Sequence, residues 1–289
     1  MGKYFAKCFF TLIFCVLLNQ IIAQDYGVKY LRPYKVNVDF DRLEEKVYTD
    51  TASYFYVFDK DALRHLSKFS NLKIFEIGLL RGKAKLSLDY EKQFKNVEYL
   101  ELVGTKISFE KEIRFPKLKV LQAIELKTKN LEWLYNLPEI EEIYLVDCAI
   151  KINQKQFEVY ESLRILRIWT LNKVYDLDVS NLKKLEGLHF VSEKSVILNE
   201  DYLRLKKLKT LGLNLELTNH QNLDILAGLK SLNLLYVAIE HEIDEFEEKI
   251  KKLKFLTEIR ILIRANHLEK DKIKEQLEKW LPNTKIVID

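Results

Sequence analysis

An apolar-x-x-apolar-x-apolar pattern recurs along most of this chain. It reads LKIFEI from Leu72, VEYLEL from Val97, LKVLQA from Leu118, IEEIYL from Ile140 and LRILRI from Leu163. It continues as LEGLHF from Leu185, LKTLGL from Leu208, LNLLYV from Leu232 and LTEIRI from Leu256. Successive starts lie 25, 21, 22, 23, 22, 23, 24 and 24 residues apart. A step this constant marks a repeat architecture. The alternating apolar residues that end each copy predict a short strand with one buried face. A strand of that length is unstable alone, so neighbouring copies must stack into a continuous core. A final PNTKIVID, from Pro282, reads as a half-unit that closes the series.

Between the strands lie QKQFEVYES, DLDVSNLKK, NEDYLRLKK, NLDILAGLK and EIDEFEEKIKKLK. Each brings apolar residues at helical spacing, which predicts helices of one to three turns on the opposite side. In EFEEKIKKL, Phe246, Ile250 and Leu253 share a stripe and Glu precedes Lys at favourable spacing. Both ends depart from the repeat. Residues 24–62 are rich in Tyr, Phe and Val and predict an N-terminal cap, with a degenerate strand at Ser53–Phe58. Residues 268–289 predict a closing helix, with Ile273, Leu277 and Trp280 on one face, and a last strand.

These copies resemble the leucine-rich-repeat family, whose unit is L-x-x-L-x-L-x-x-N/C-x-L. The resemblance covers Leu63 to Asp289, with the repeats proper at 63–267. It implies an α/β solenoid, or horseshoe, with a parallel concave sheet of short strands and short convex helices. In this register positions 1, 4 and 6 point inward, and positions 3, 5, 7 and 8 project from the concave sheet. Position 5 then presents Tyr144, Arg167, His189, Tyr236 and Arg260. Position 7 is apolar for five consecutive rungs, from Val103 through Val146 and Trp169 to Val191. An apolar strip carrying aromatic and Arg neighbours is the composition of an interaction surface. Cys148 fills position 9 of its rung, where a small side chain tucks under the strand, and Thr105 takes the equivalent place.

The N-terminus changes the picture of where the chain works. Lys3 and Lys7 precede the apolar run Cys8–Leu18, and Ala23 offers a cleavage position, which is the layout of a secretory signal over residues 1–23. The run is short for a bilayer span, so no stable membrane span is expected in the mature chain. The expected location is periplasmic, cell-surface or secreted. Removing Lys3 and Lys7 leaves 45 of the 47 Lys and Arg against 43 Asp and Glu, interspersed rather than clustered. That distribution suits a solvated surface and gives no strip for nucleic acid. Cys8 and Cys15 would leave with the signal, and a single remaining cysteine cannot make an internal disulfide. The chain also contains no Asn-x-Ser/Thr sequon, and together these features favour a bacterial envelope or secreted protein.

Catalytic and metal chemistry find little support. The five histidines never pair at i+3 or i+4, so no zinc signature exists. His241 beside Glu242 and Asp244 suits an acidic helix start, and His189 has no nucleophile in register. Gly78–Gly82 lacks the Lys-Ser/Thr of a phosphate loop. No cofactor or metal is expected. The expected function is non-catalytic recognition of a protein or peptide on the concave face by a monomeric chain. The alternative is a carbohydrate or cell-wall binder that stacks sugars on Trp169, Tyr144 and Tyr236.

Overall fold

A computed structural model of the chain describes residues 54–57 and most of 63–288, apart from short stretches of which 127–136, 149–159 and 170–178 are the longest. These residues fall within the compact unit Glu45–Asp289. Residues 1–23, where a secretory signal is expected, and nearly all of the expected cap region 24–62 lie outside the described residues. Among the described residues thirteen strands run in chain order: β1 (Tyr54–Val57), β2 (Ile74–Gly78), β3 (Ala84–Leu86), β4 (Tyr99–Val103), β5 (Ile107–Phe109), β6 (Val120–Ile124), β7 (Glu142–Val146), β8 (Ile165–Trp169), β9 (Gly187–Val191), β10 (Thr210–Glu216), β11 (Leu234–Ile239), β12 (Glu258–Ile263) and β13 (Lys285–Ile288). Eleven of them form one sheet in sequence order, and β3 pairs with β5 in a small second sheet. Every pairing is parallel.

The buried face follows the repeat. Leu72, Phe75 and Ile77 are fully buried, as are Val97, Leu100 and Leu102 and their counterparts in later rungs. Among the described residues, short helices occur in some of the connections, including a 3-10 turn at Glu200–Arg204 and an α-helix at His220–Gly228. Phe246, Ile250 and Leu253 are buried along a composite helix, 244–253, of 3-10 and α turns. The helix Lys270–Trp280 buries Ile273, Leu277 and Trp280 before β13 ends the sheet.

Two devices lock each rung to the next. The first is a shared carbonyl at position 2. Lys73 O accepts from the N–H groups of both Glu98 and Tyr99, at 2.8 and 3.1 Å, and Glu98 O accepts from Lys119 and Val120 in the same way. The motif repeats from Lys119 O through Asn233 O. The second device is the charge on those same residues. Position 2 reads Lys73, Glu98, Lys119, Glu141, Arg164, Glu186, Lys209, so its sign alternates from rung to rung. Neighbours meet as ion pairs: Lys119–Glu98 at 3.8 Å, Arg164–Glu141 at 3.6 Å, Arg164–Glu186 at 2.9 Å and Lys209–Glu186 at 2.9 Å. The even mixture of Lys and Glu is therefore, in part, an ordered column.

At the strand ends the chain must turn out of the sheet. Gly104, Glu125 and Asp147 occupy position 8 of three successive rungs, and all have positive φ, at 123°, 54° and 47°. Their N–H groups donate to the last strand residue of the following rung, Ile124, Val146 and Trp169, at 3.0, 2.8 and 2.7 Å. Cys148 follows Asp147 and turns under the sheet, where its Sγ donates to the carbonyl of Ala123 at 3.3 Å. Thr105, its expected equivalent, lies outside the described residues. Farther along, Asn222 is buried and clamps the strand-to-helix connection. Its side chain accepts from Leu198 N at 2.9 Å and donates to Glu216 O at 3.2 Å.

Two pH dependences follow. Hydrogen bonds from Arg164 and then Lys209 lower the Glu186 pKa to about 2 from its ordinary 4.5. The stability this contributes is present above pH 4.5 and is lost as pH falls toward 2. Allowing for solvent screening, Glu186→Gln should remove about 1 kcal/mol of the stability difference between pH 6 and pH 3, read from urea midpoints. Burial pushes the Cys148 thiol from 9.0 up to about 12. Above its ordinary value the unfolded chain releases this proton and the folded chain does not, so stability falls as pH rises toward 12. The loss should approach about 1.4 kcal/mol per pH unit between pH 9.5 and 11, and Cys148→Ala should lack it.

Candidate functional site

The open face of the sheet is built from columns of residues set in register. Position 5 forms one column through Glu76, Glu101, Gln122, Tyr144, Arg167, His189, Gly212, Tyr236 and Arg260. Neighbouring strands are only about 4.8 Å apart, so long side chains in such a column cannot all stand upright. They lie along the sheet and cover one another.

That crowding corrects the expectation for two residues. Tyr144 and Arg167 are 7% and 9% exposed, so they are buried rather than displayed. The Arg167 guanidinium lies 5.5 Å from the centre of the Tyr144 ring, and the Tyr144 hydroxyl donates to Glu142 Oε2 at 2.6 Å. Farther along, Tyr236 and Arg260 are partly exposed and repeat the same stacking, at 5.3 Å. Arg260 Nε also bonds Glu258 Oε1 at 2.5 Å. Toward the N-terminal rungs the column is acidic and its carboxylates are buried. Tyr99 donates to Glu101 Oε2 at 2.9 Å and to Gln122 Oε1 at 3.2 Å.

His189 sits where the column has a gap. Its ring meets Tyr236 edge-on at 5.1 Å, although Gly212 stands on the strand between them. A Cβ on Gly212 would come 2.5 Å from His189 Nδ1, so the bare backbone is what admits the imidazole. Burial, and then the Arg167 charge, hold the His189 pKa well below its ordinary value, so the ring is neutral at pH 7.

Position 7 is the apolar column. Val103, Ile124, Val146, Trp169 and Val191 follow one another in register from β4 to β9. Ile124 is buried, while Val103, Val146 and Trp169 are partly exposed; the Val191 side chain lies outside the described residues. Continuation into β10 fails. Between Gly212 and Glu216, β10 carries two residues more than β11, so Glu216 rather than Asn214 stands beside Ala238. Asn214 is buried by this bulge. Beyond it Leu262 is 48% exposed. His241 contacts Glu216 at 3.3 Å, and among the described residues no three His, Cys, Asp or Glu side chains could hold a metal ion.

No protein-family profile matches the sequence. No curated protein matches it either. Solved structures do match. An internalin from Listeria monocytogenes str. 4b F2365 aligns with a TM-score of 0.53 at 18% identity, over 78% of this chain and 69% of its own. The fold is that of a leucine-rich-repeat solenoid. An internalin C2 from the same strain aligns more loosely, with a TM-score of 0.46 at 14% identity, over 78% of this chain and 83% of its own. Within this solenoid the expected site residues divide into a lower layer, Tyr144 and Arg167, and a more open one, Trp169, Tyr236 and Arg260. His189 bridges them. Gly212, which arranges that bridge, carried no signal in the repeat pattern beyond being a glycine at a column position.

Gly212→Ala should cost about 1–3 kcal/mol of stability by overpacking. It should also drive His189 off Tyr236, and the His189 pKa should rise toward its ordinary value in an NMR titration. An unchanged His189 titration in the folded variant would contradict the gap-filling role.

Proposed function

We propose that this chain is an exported, non-catalytic binding protein that recognises a protein or peptide on the concave face. The observation that carries the reading is Trp169, partly exposed in the apolar column beside Val146 and Val191. Trp, Tyr and Arg dominate interface anchors, and a partly buried Trp needs little reordering on contact. Tyr236 and Arg260 supply a second contact area, and Tyr144 and Arg167 support the face from beneath. The exported state rests on the basic and apolar layout of residues 1–23. Among the described residues no helix is long and apolar enough to cross a membrane. The reading includes a monomer in periplasm, cell surface or medium, with no nucleic acid and no cofactor. Residues 24–62 and 268–289 act as caps that shield the ends of the core.

Carbohydrate binding is the competing reading. It loses Tyr144 as a stacking platform, because Arg167 covers that ring, and keeps Trp169 and Tyr236. The test is capture of a partner from the native environment, followed by titration with the purified partner. Trp169→Ala should weaken binding at least tenfold with unchanged far-UV dichroism. Tyr144→Phe, beneath the face, should leave affinity within about twofold. Equal affinity of the folded Trp169→Ala protein would reject the concave-face site, and saturable glycan-array binding without a protein partner would favour the carbohydrate reading.

A further inference from the structure

Away from the concave face, the fold gathers lysines that are distant in sequence. The run KIKKLK, residues 249–254, belongs to one rung, and Lys279 stands in the last turn of the helix Lys270–Trp280. Between them opens a cleft of about 320 Å³ with Trp280, Leu281 and Thr284 buried at its base. Its rim carries Lys251, Lys254 and Lys279, and no carboxylate lines it. Lys251 is held by Glu247 at 2.6 Å and Glu248 at 3.1 Å. Lys254 and Lys279 form no ion pair among the described residues. The Thr284 hydroxyl is committed to the Leu256 carbonyl, which leaves the exposed Asn283 amide as the neutral donor at the rim.

We propose that this cleft binds a small polyanion bearing two phosphate or sulfate groups. Lys254 and Lys279 bring two positive charges to one opening with no carboxylate paired to either, while Lys251 is already shared with Glu247 and Glu248, and an oxyanion between them gains attraction from both. Lysine serves well here because it binds phosphate as a point charge, without the planar fork that arginine needs. The volume favours two anionic groups over one, since it lies at the lower end of small-molecule sites and exceeds what a lone phosphate fills. The apolar base excludes water from one side of the contact and so limits screening. Lys279 also offsets the negative end of its own helix, a role it would fill without any ligand. Lys254, whose short 3-10 turn ends beside it, has no such role. The site shares no residue with the concave face.

The experiment is calorimetric titration of the full mature chain with inorganic pyrophosphate and with fructose 1,6-bisphosphate, using fructose as the uncharged control. Both anions should bind saturably at 1:1, and affinity should fall at least tenfold between 50 and 300 mM salt. Lys254→Ala/Lys279→Ala should weaken binding at least tenfold with an unchanged melting temperature. Lys274→Ala, a lysine paired with Glu278 outside the cleft, should bind as the parent does. Tighter binding of the sugar bisphosphate would assign the anion to a phosphorylated sugar, and tighter pyrophosphate binding to free polyphosphate. Absence of saturable binding, or equal losses in the Lys274→Ala protein, would overturn the proposal and leave ordinary surface lysines.

Discussion

The structure depends on one carbonyl per rung that accepts two N–H groups from the rung above. The position-2 carbonyl fixes where the next strand begins, and every later pairing inherits that start. A strand of four to seven residues has few ladder bonds of its own to hold its register, and a slip by one would carry its apolar residues to the wrong face. The alternating charges on the same residues reinforce the choice. Exposed ion pairs contribute little individually, but a column of alternating sign penalises mispairing of rungs, because skipping one rung sets like charges side by side. Register specificity, more than raw stability, is what the column supplies.

The same spacing decides what the concave face can show. Strands held in register bring equivalent residues within a few ångströms, so a bulky residue is accessible only where its neighbours are small or lie flat. Arg167 lies over Tyr144 and removes it from view, and Gly212 lets His189 fold toward Tyr236. Trp169 keeps partial exposure because its in-register neighbour Val146 is shorter. A solenoid face is therefore chosen column by column, with each residue setting the exposure of the next.

Much of this fold was legible because it is periodic. The apolar starts from Leu72 to Leu256 gave strand, register and buried face, and the stripes of the composite helix 244–253 and of the helix Lys270–Trp280 gave the core-facing side of both. The alternating signs at position 2 were equally visible in the chain, once that column is read by itself. Other features depend on neighbours that no single repeat reveals. The burial of Tyr144 depends on Arg167 one rung later. The β10 bulge depends on two residues that the apolar pattern absorbs, since Leu213 and Leu215 both look like core positions and both are buried. Positive φ at Glu125 is a demand of the turn, met against residue preference, whereas Gly104 and Asp147 are residue types that reach that region more readily. Asn222 lies in a segment whose apolar spacing predicts only a helix, and its clamp joins Leu198, 24 residues earlier, to Glu216.

Cys148 lies sealed beneath the fourth rung, its thiol uncharged and turned toward a carbonyl. A surface cysteine in an oxidising compartment invites cross-linking between copies, whereas this one meets an oxidant only after the rung above it lifts. Its reaction rate would then be set by local opening rather than by thiol chemistry. The chain thus carries an internal clock for the breathing of its own middle, one that runs fast only when the stack comes apart there.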